Sequence, residues 1–129
     1  MSDVTVKRVD EMESIYGGAI VRARAALGVR SFGMQVENLP PNYADYPEHD
    51  ETSTGQEEVY VPLRGSARLL VGQKEYRLEP GVFARVGPGE KRKIVPGPDG
   101  CQLLALGAVV GGAYRAPEWS ELGAPAPGE

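Results

Sequence analysis

Between residues 57 and 110 the sequence is divided into short apolar runs by turns that contain glycine or proline, and this spacing restricts the fold more than any other feature. Short runs at regular spacing, separated by such turns, are typical of all-β sandwiches and barrels. The 17 glycines and 11 prolines among 129 residues favour the same class over a bundle of long helices. Six strands are predicted here, over residues 57–63, 66–71, 74–78, 82–86, 93–95 and 101–110.

The first 39 residues carry a weaker pattern of the same kind. Residues 4–9 alternate between apolar and polar side chains, which predicts a short strand. Residues 31–39 alternate as well, with Phe32, Met34 and Val36 on one face, and Pro40-Pro41 ends this second strand. We expect both segments to belong to the barrel.

The segment between these strands is harder to assign. Asp10 and Glu13 have the spacing of a capping box and predict a short helical turn through Ile15 and Tyr16. Residues 19–25 alternate like a strand, although their alanines and arginines also suit a helix. The short distance to the Leu27-Gly28 break favours the strand.

The chain is expected to form one domain over residues 1–122. At this length a domain buries about two thirds of the surface that its unfolded chain exposes. Residues 117–122 predict a short helical turn whose Trp119 and Leu122 pack back onto the barrel. Residues 123–129, GAPAPGE, predict a disordered tail.

Charge and composition exclude several classes of function. The net charge is −4, and no stripe of Lys and Arg provides the surface of a nucleic-acid-binding protein. No apolar run approaches the ~20 residues that cross a bilayer, and the charged segment 1–12 does not have the apolar core of a signal peptide. The single cysteine, Cys101, excludes an internal disulfide and is expected to be a small buried apolar side chain. We therefore expect a cytoplasmic protein that binds neither nucleic acid nor membrane.

One polar loop stands out as a candidate site. Residues 42–56 are rich in Asn, Asp, Glu, Ser, Thr, Gly and Pro, and they contain the only histidine, His49. A polar loop of this length within a compact domain is usually functional or disordered. The acids Glu48, Asp50 and Glu51 flank the histidine, and Glu58 follows at the start of a predicted strand.

These residues resemble the first sequence signature of the cupins, G-x5-H-x-H-x3–4-E-x6-G. His49 stands at the first histidine, and Glu58 stands at the glutamate because six residues separate it from Gly65. The second signature, G-x5-P-x-G-x2-H-x3-N, is matched at Gly81 and Gly89. The resemblance covers about residues 31–110 and is strongest to small single-domain bacterial cupins of unassigned function. It implies an all-β, cupin-type jelly-roll barrel of two antiparallel sheets, with short helical turns near both termini.

The sequence departs from the cupin pattern where the family places metal ligands. Cupins usually hold a divalent metal with three histidines and one glutamate. Here Glu51 stands at the second histidine, and Arg92 and Pro96 stand at the histidine and asparagine of the second signature. The resemblance leaves His49, Glu51 and Glu58 as ligands for a weakly bound Mn, Fe, Zn or Ni ion, or no metal at all.

Three alternatives follow for Arg92. In the first, which is the hypothesis we favour, Arg92 forms an ion pair with Glu58 through two parallel hydrogen bonds and closes the barrel centre. In the second, Arg92 turns away and leaves a metal bound. In the third, Arg92 stays free to bind the carboxylate or phosphate of a ligand. Tyr60 shares a strand face with Glu58, so it either lines such a site or is an ordinary core aromatic. No arrangement of a nucleophile with a base is apparent, so no catalytic residue is assigned.

The function implied by the resemblance is equally open. A barrel with a degenerate metal site that binds a small organic ligand is favoured. The alternatives are a metal-dependent dioxygenase, isomerase or decarboxylase, and a structural module that serves mainly to dimerise. Cupins commonly pair through strands near the N-terminus, so a homodimer is expected.

Overall fold

The computed structural model describes residues 2–128, and it is an all-β barrel with one short α-helix. Seven strands form the barrel: β1 (Ser14–Ile15), β2 (Ile20–Val21), β3 (Gly33–Leu39), β4 (Gln56–Val71), β5 (Lys74–Leu78), β6 (Ala84–Val86) and β7 (Lys93–Val109). The α-helix, α1, spans Ala23–Leu27, and 3-10 turns cover Val9–Glu11, Tyr16–Gly18 and Glu118–Ser120. Among the residues that the structure describes, no helix is long and apolar enough to cross a membrane.

Two long strands, β4 and β7, organise the sheet. They pair antiparallel along their whole length, from Gln56 opposite Val109 to Leu70 opposite Lys93. The N-terminal half of β4 also pairs with β6, and its C-terminal half pairs with β5. The C-terminal half of β7 pairs with β3, which continues through β2 to β1. Each half of the long pair therefore belongs to a different side of the barrel.

The sequence predicts a turn at Arg64-Gly65, but the strand continues through it with register shifts on both sides of this dipeptide. Gly65 has a φ of +72°, which glycine adopts without steric cost. A Cβ at this position would lie 2.1 Å from the carbonyl oxygen of Gly100 on the paired strand. The irregularity allows β4 and β7 to bend together instead of ending. The two strands predicted at 57–63 and 66–71 are therefore one strand, β4, and those predicted at 93–95 and 101–110 are one strand, β7.

The core lies between the two halves of the barrel. It contains side chains from every strand from β3 to β7 and from the loop that follows β3, and Ile94 and Leu103 have no exposed surface. Cys101 is buried and free, as expected. A second, smaller cluster of Val21, Ala23 and Val36 covers the outer face of β3. As a result β3 is covered on both faces.

The N-terminal predictions were partly wrong. Residues 4–9 form no strand, because they have no partner, and Val4 and Val6 are largely exposed. Asp10 does not cap a helix: a 3-10 turn begins at Val9, and no side chain caps it. Residues 19–25 form a strand only at Ile20–Val21, and α1 follows.

Two arginines, Arg22 just before α1 and Arg24 within it, have partners that an alternating strand pattern does not anticipate. Arg22 donates to Glu13 Oε2 and to the carbonyl oxygen of Ala124, both at 2.7 Å. Arg24 donates to Glu121 Oε1 at 2.8 Å. Both arginines are buried. They attach residues 120–124 to the N-terminal part of the barrel.

Residues 123–128, for which the sequence predicts disorder, contact the rest of the domain in the structure. The backbone N–H of Gly123 donates to Glu13 Oε2 at 2.8 Å. Ala126 is buried, and the hydroxyl of Tyr16 donates to the carbonyl oxygen of Pro127. These contacts place residues 123–127 against the same N-terminal segment.

Candidate functional site

The polar loop and the segment before β7 meet at a two-residue bridge between His49 and Arg92. The N–H of His49 donates to the Arg92 carbonyl at 3.0 Å, and the N–H of Arg92 donates to the His49 carbonyl at 2.8 Å. Directly opposed residues of an antiparallel pair place their side chains on the same face. This bridge therefore brings the only histidine and the arginine of the second signature to one place.

Strand β4 supplies the other half of the site. Glu58 and Tyr60 are two residues apart and project from the same face, as strand alternation predicts. The Tyr60 hydroxyl donates to Glu58 Oε1 at 2.7 Å, and Tyr60 is also almost wholly buried in the core. Tyr60 is thus both a core aromatic and a hydrogen-bond donor to the site.

Arg92 lies at the centre of this group and has no exposed surface. Its Nη1 donates to Glu58 Oε1 at 2.6 Å, and its Nη2 donates to the carbonyl oxygen of Gly87 at 2.6 Å. The guanidinium therefore divides its bonds between a carboxylate and a backbone carbonyl, and the expected pair of parallel bonds to Glu58 is not formed. Both terminal nitrogens are engaged within the protein, and Nε is buried without a partner, so the side chain offers no exposed atom to a ligand.

The charges around Glu58 keep it ionised. Burial acts to raise the pKa of Glu58, but the neighbouring His49, the hydroxyl of Tyr60 and the charge of Arg92 outweigh burial and hold the pKa below its ordinary value. In turn, the Glu58 carboxylate raises the pKa of His49 against the opposing effect of partial burial. The centre of the site is a linked set of charges in which Glu58 is shared.

His49, Glu51 and Glu58 also form a group with the donor atoms of a metal site. His49 Nε2 lies 3.4 Å from Glu51 Oε1 and 3.8 Å from Glu58 Oε1. One ligand atom from each residue lies within 4.8 Å of the others. One imidazole and two carboxylates suit borderline divalent cations.

Arg92 decides whether that group fits a metal. A dication and a unit positive charge 4 Å apart repel by about 8 kcal/mol at an effective dielectric of 20. A complete four-ligand structural zinc site provides about 10–16 kcal/mol. The present group has three ligands, and one of them already accepts a bond from the guanidinium. The residues therefore do not fit a tightly bound divalent cation while Arg92 stays in place.

A buried acid that the sequence analysis did not identify lies beside this group. Glu37, on β3, is only 5% exposed. Gln35 donates to its Oε1 at 2.7 Å, while its Oε2 is buried with no hydrogen-bond partner. Burial raises the pKa of Glu37 to about 7, against the hydrogen bond from Gln35, and the charge of Glu58 raises it further. In the sequence, the one indication of its position is alternation: Glu37 and Leu39 lie on one face of the strand, opposite Met34 and Val36.

An open cavity of about 750 Å³ adjoins these residues. Its polar end contains His49, Glu37, Glu51 and Glu58, and its walls contain four aromatic side chains. The aromatic residues are Tyr16, Tyr43, Tyr46 and Trp119. A cavity of this size, mostly apolar and with a few polar groups at one end, is typical of small-molecule binding sites.

A second cavity of about 310 Å³ lies on the other side of the same acids. It shares Gln35, Glu51, Glu58 and Trp119 with the larger cavity, and Arg22 and Arg24 line its far wall. Both arginines are bound to acids of the chain itself. Their role in this structure is to hold the C-terminal residues in place.

Comparison with known proteins shows the fold. No family model matches the sequence, and no curated protein is detectably similar to it. A cupin protein from Bacteroides fragilis is 18% identical and matches 91% of this chain and 93% of its own, with a TM-score of 0.65.

Two further solved structures are similar. A sugar phosphate isomerase of the cupin superfamily from Silicibacter pomeroyi is 18% identical over 81% of this chain and 75% of its own, with a TM-score of 0.63. A protein from Thermus thermophilus is 20% identical over 81% of this chain and 96% of its own, with a TM-score of 0.60. At such identities the likeness concerns the fold, and the cupin-type barrel expected from the sequence is confirmed.

Proposed function

We propose that this cupin-fold barrel binds a small organic molecule in the cavity of about 750 Å³ and does so without a tightly bound metal. The observation that carries the proposal is the wholly buried Arg92, whose Nη1 lies 2.6 Å from Glu58 Oε1. The guanidinium occupies the space next to the carboxylate that a metal would need. The polar end of the cavity is then left to orient an organic ligand.

The alternative is a metal-dependent cupin enzyme that uses His49, Glu51 and Glu58. Its support is the grouping of their donor atoms within 4.8 Å. The two functions differ in what they require of Arg92, because a tight metal site needs that side chain to move away from Glu58. Metal affinity therefore separates the two.

Arg92→His is expected to raise the affinity for Mn²⁺, Zn²⁺ or Ni²⁺ by at least about tenfold. The change removes the repulsion estimated above at about 8 kcal/mol and adds a ligand nitrogen. Titration calorimetry and the thermal shift on adding metal or chelator measure the effect. Arg85→His is the matched control, because Arg85, on β6, is exposed and pairs with Glu57 of β4.

Two results would contradict the proposal. Unmodified protein could be purified with near-stoichiometric Mn, Fe, Zn or Ni and lose thermal stability on chelation, which would favour the enzyme. Alternatively, Arg92→His could bind metal no more tightly than the unmodified protein, which would show that the guanidinium is not what opposes a cation.

A further inference from the structure

The chemistry of the larger cavity is strongly biased in charge. Three carboxylates, those of Glu37, Glu51 and Glu58, lie at its polar end. Among the described residues that line it, none is lysine or arginine. Arg92 lies behind Glu58 with no exposed surface, so its charge is directed to the protein and not to the cavity. An anionic ligand would meet acids here, because His49, the one basic side chain in the lining, already faces Glu51 and Glu58.

Glu37 supplies a second and independent observation. Most buried polar atoms in proteins have a hydrogen-bond partner, and each exception needs an explanation. Glu37 Oε2 is buried without one, although the side chain lines the cavity. The terminal torsion of a glutamate is broad, so this oxygen can turn toward the cavity that the side chain lines. No side chain makes a hydrogen bond of ordinary geometry to Oε2, although Tyr46 lies close enough to lower the pKa of Glu37.

The walls favour the same kind of ligand. Tyr16, Tyr43, Tyr46 and Trp119 line the cavity. Aromatic faces attract organic cations, and their edges and the neighbouring Leu39 and Ile20 accept an apolar body. Tyr46 is nearly buried, and its ring centre lies 6.2 Å from that of His49, at the boundary between the polar end and the apolar wall.

We propose that the cavity takes an organic ammonium: a primary amine on an apolar, preferably aromatic, body. The ammonium donates to Glu37 Oε2 and lies near Glu51 and Glu58, while the apolar body contacts the aromatic walls. This inference rests on the proposed function, because it names the class of ligand that the same cavity binds.

The acid-base state of the cavity agrees with this occupant. Burial raises the pKa of Glu37 to about 7, and the titratable groups that interact with it are Glu58, His49, Tyr46, Tyr60 and Cys101. An adjacent ammonium favours the ionised carboxylate and so offsets the cost of burying that charge. A neutral ligand of the same shape offers no such compensation.

Three compounds with nearly the same apolar body test the inference: 2-phenylethylamine, 2-phenylethanol and phenylacetate. Near neutral pH the amine is cationic, the alcohol neutral and the acid anionic. We expect calorimetry to show that the amine binds about 10- to 100-fold more tightly than the alcohol, as hydrogen bonds to charged groups usually allow. Phenylacetate should bind more weakly than the alcohol.

Glu37→Gln identifies the residue responsible. The variant keeps the shape of the side chain and removes its charge, so the preference for the amine over the alcohol should fall to less than about threefold. Glu57→Gln is the matched control, because Glu57 lies on the outer face of β4 and pairs with Arg85. This control should keep the full preference.

Several outcomes would overturn the inference. The alcohol or the carboxylate could bind as tightly as the amine, none of the three could bind at millimolar concentration, or the preference could survive in Glu37→Gln. The first comparison needs no variant, so a failure of Glu37→Gln to fold does not protect the inference. The proposed function fails by a different result, tight metal binding in the unmodified protein, so the two are tested separately.

Discussion

Arg92→Met lowers the free energy of unfolding by about 3–5 kcal/mol, which is the usual cost of removing one partner of a buried ion pair. Arg92 has no exposed surface, and Glu58 would be left buried without the guanidinium at 2.6 Å. The carbonyl oxygen of Gly87 would lose the shorter of its two hydrogen bonds and keep the one from the N–H of Glu90. Since a domain of this size is stable by only about 5–15 kcal/mol, the loss is large. Chemical denaturation near neutral pH measures it.

The neighbouring pair on the outer face gives a matched control for this substitution. Glu57 and Arg85 are adjacent in the fold to Glu58 and Arg92, but their side chains are 39% and 64% exposed. Arg85→Met should therefore cost less than about 1 kcal/mol. The double variant Arg92→Met with Glu58→Gln should recover part of the loss, because no charge is then left without a partner. Equal costs for the two single arginine variants would show that the inner pair does not support the barrel centre.

The acid dependence of stability follows from the same pair. The pKa of Glu58 in the folded state lies below its ordinary value of 4.5. A group of this kind contributes stability that is fully present above the unfolded pKa and is lost as the pH falls through the folded pKa. The contribution of Glu58 should therefore disappear on acidification below about pH 4.5, and Arg92→Met should flatten this part of the stability profile.

The sequence predicted the part of the site that depends on local rules. The six residues between Glu58 and Gly65 located Glu58 on its strand, and period-two alternation placed Tyr60 beside it. Its place at the histidine of the second signature put Arg92 among the site residues, and the structure buries its side chain completely. These inferences needed only one strand or one motif at a time.

What was missed depends on contacts between distant parts of the chain. Glu37 belongs to a strand with apolar side chains on both faces, and the sequence does not show which face meets the barrel interior. The orientation of β3 is set by Val21 and Ala23, which pack on Val36 at the outer face of the barrel, so Glu37 faces the interior. In the same way, Arg24 in α1 can be buried because Glu121, 97 residues later, accepts a hydrogen bond from its guanidinium. Patterns within a short segment cannot predict such pairs.

The second large effect is expected from Glu37→Gln, which should stabilise the protein above neutral pH. The folded pKa of Glu37 is raised from 4.5 to about 7, so ionisation of this acid costs stability progressively as the pH rises through that interval. Each pH unit corresponds to about 1.4 kcal/mol, so the full cost is about 3 kcal/mol above pH 7. Glutamine cannot ionise, so the variant avoids that cost. Its amide nitrogen, however, takes the place of Glu37 Oε2, which has no hydrogen-bond partner.

The gain from Glu37→Gln should therefore depend on pH, and this dependence separates loss of charge from a change in packing. Near pH 4.5 both side chains are largely neutral, and the two proteins should differ by less than about 1 kcal/mol; at about pH 8 the variant should be more stable by roughly 2–3 kcal/mol. Urea denaturation at the two pH values measures both differences, and Glu57→Gln, on the exposed face of β4, should show less than about 1 kcal/mol at either.

A gain of the same size at both pH values would mean that Glu37 does not carry a buried charge. A loss at pH 8 would mean that its ionised form already has a partner within the protein, and the cavity would then have no unmet need for a cationic ligand.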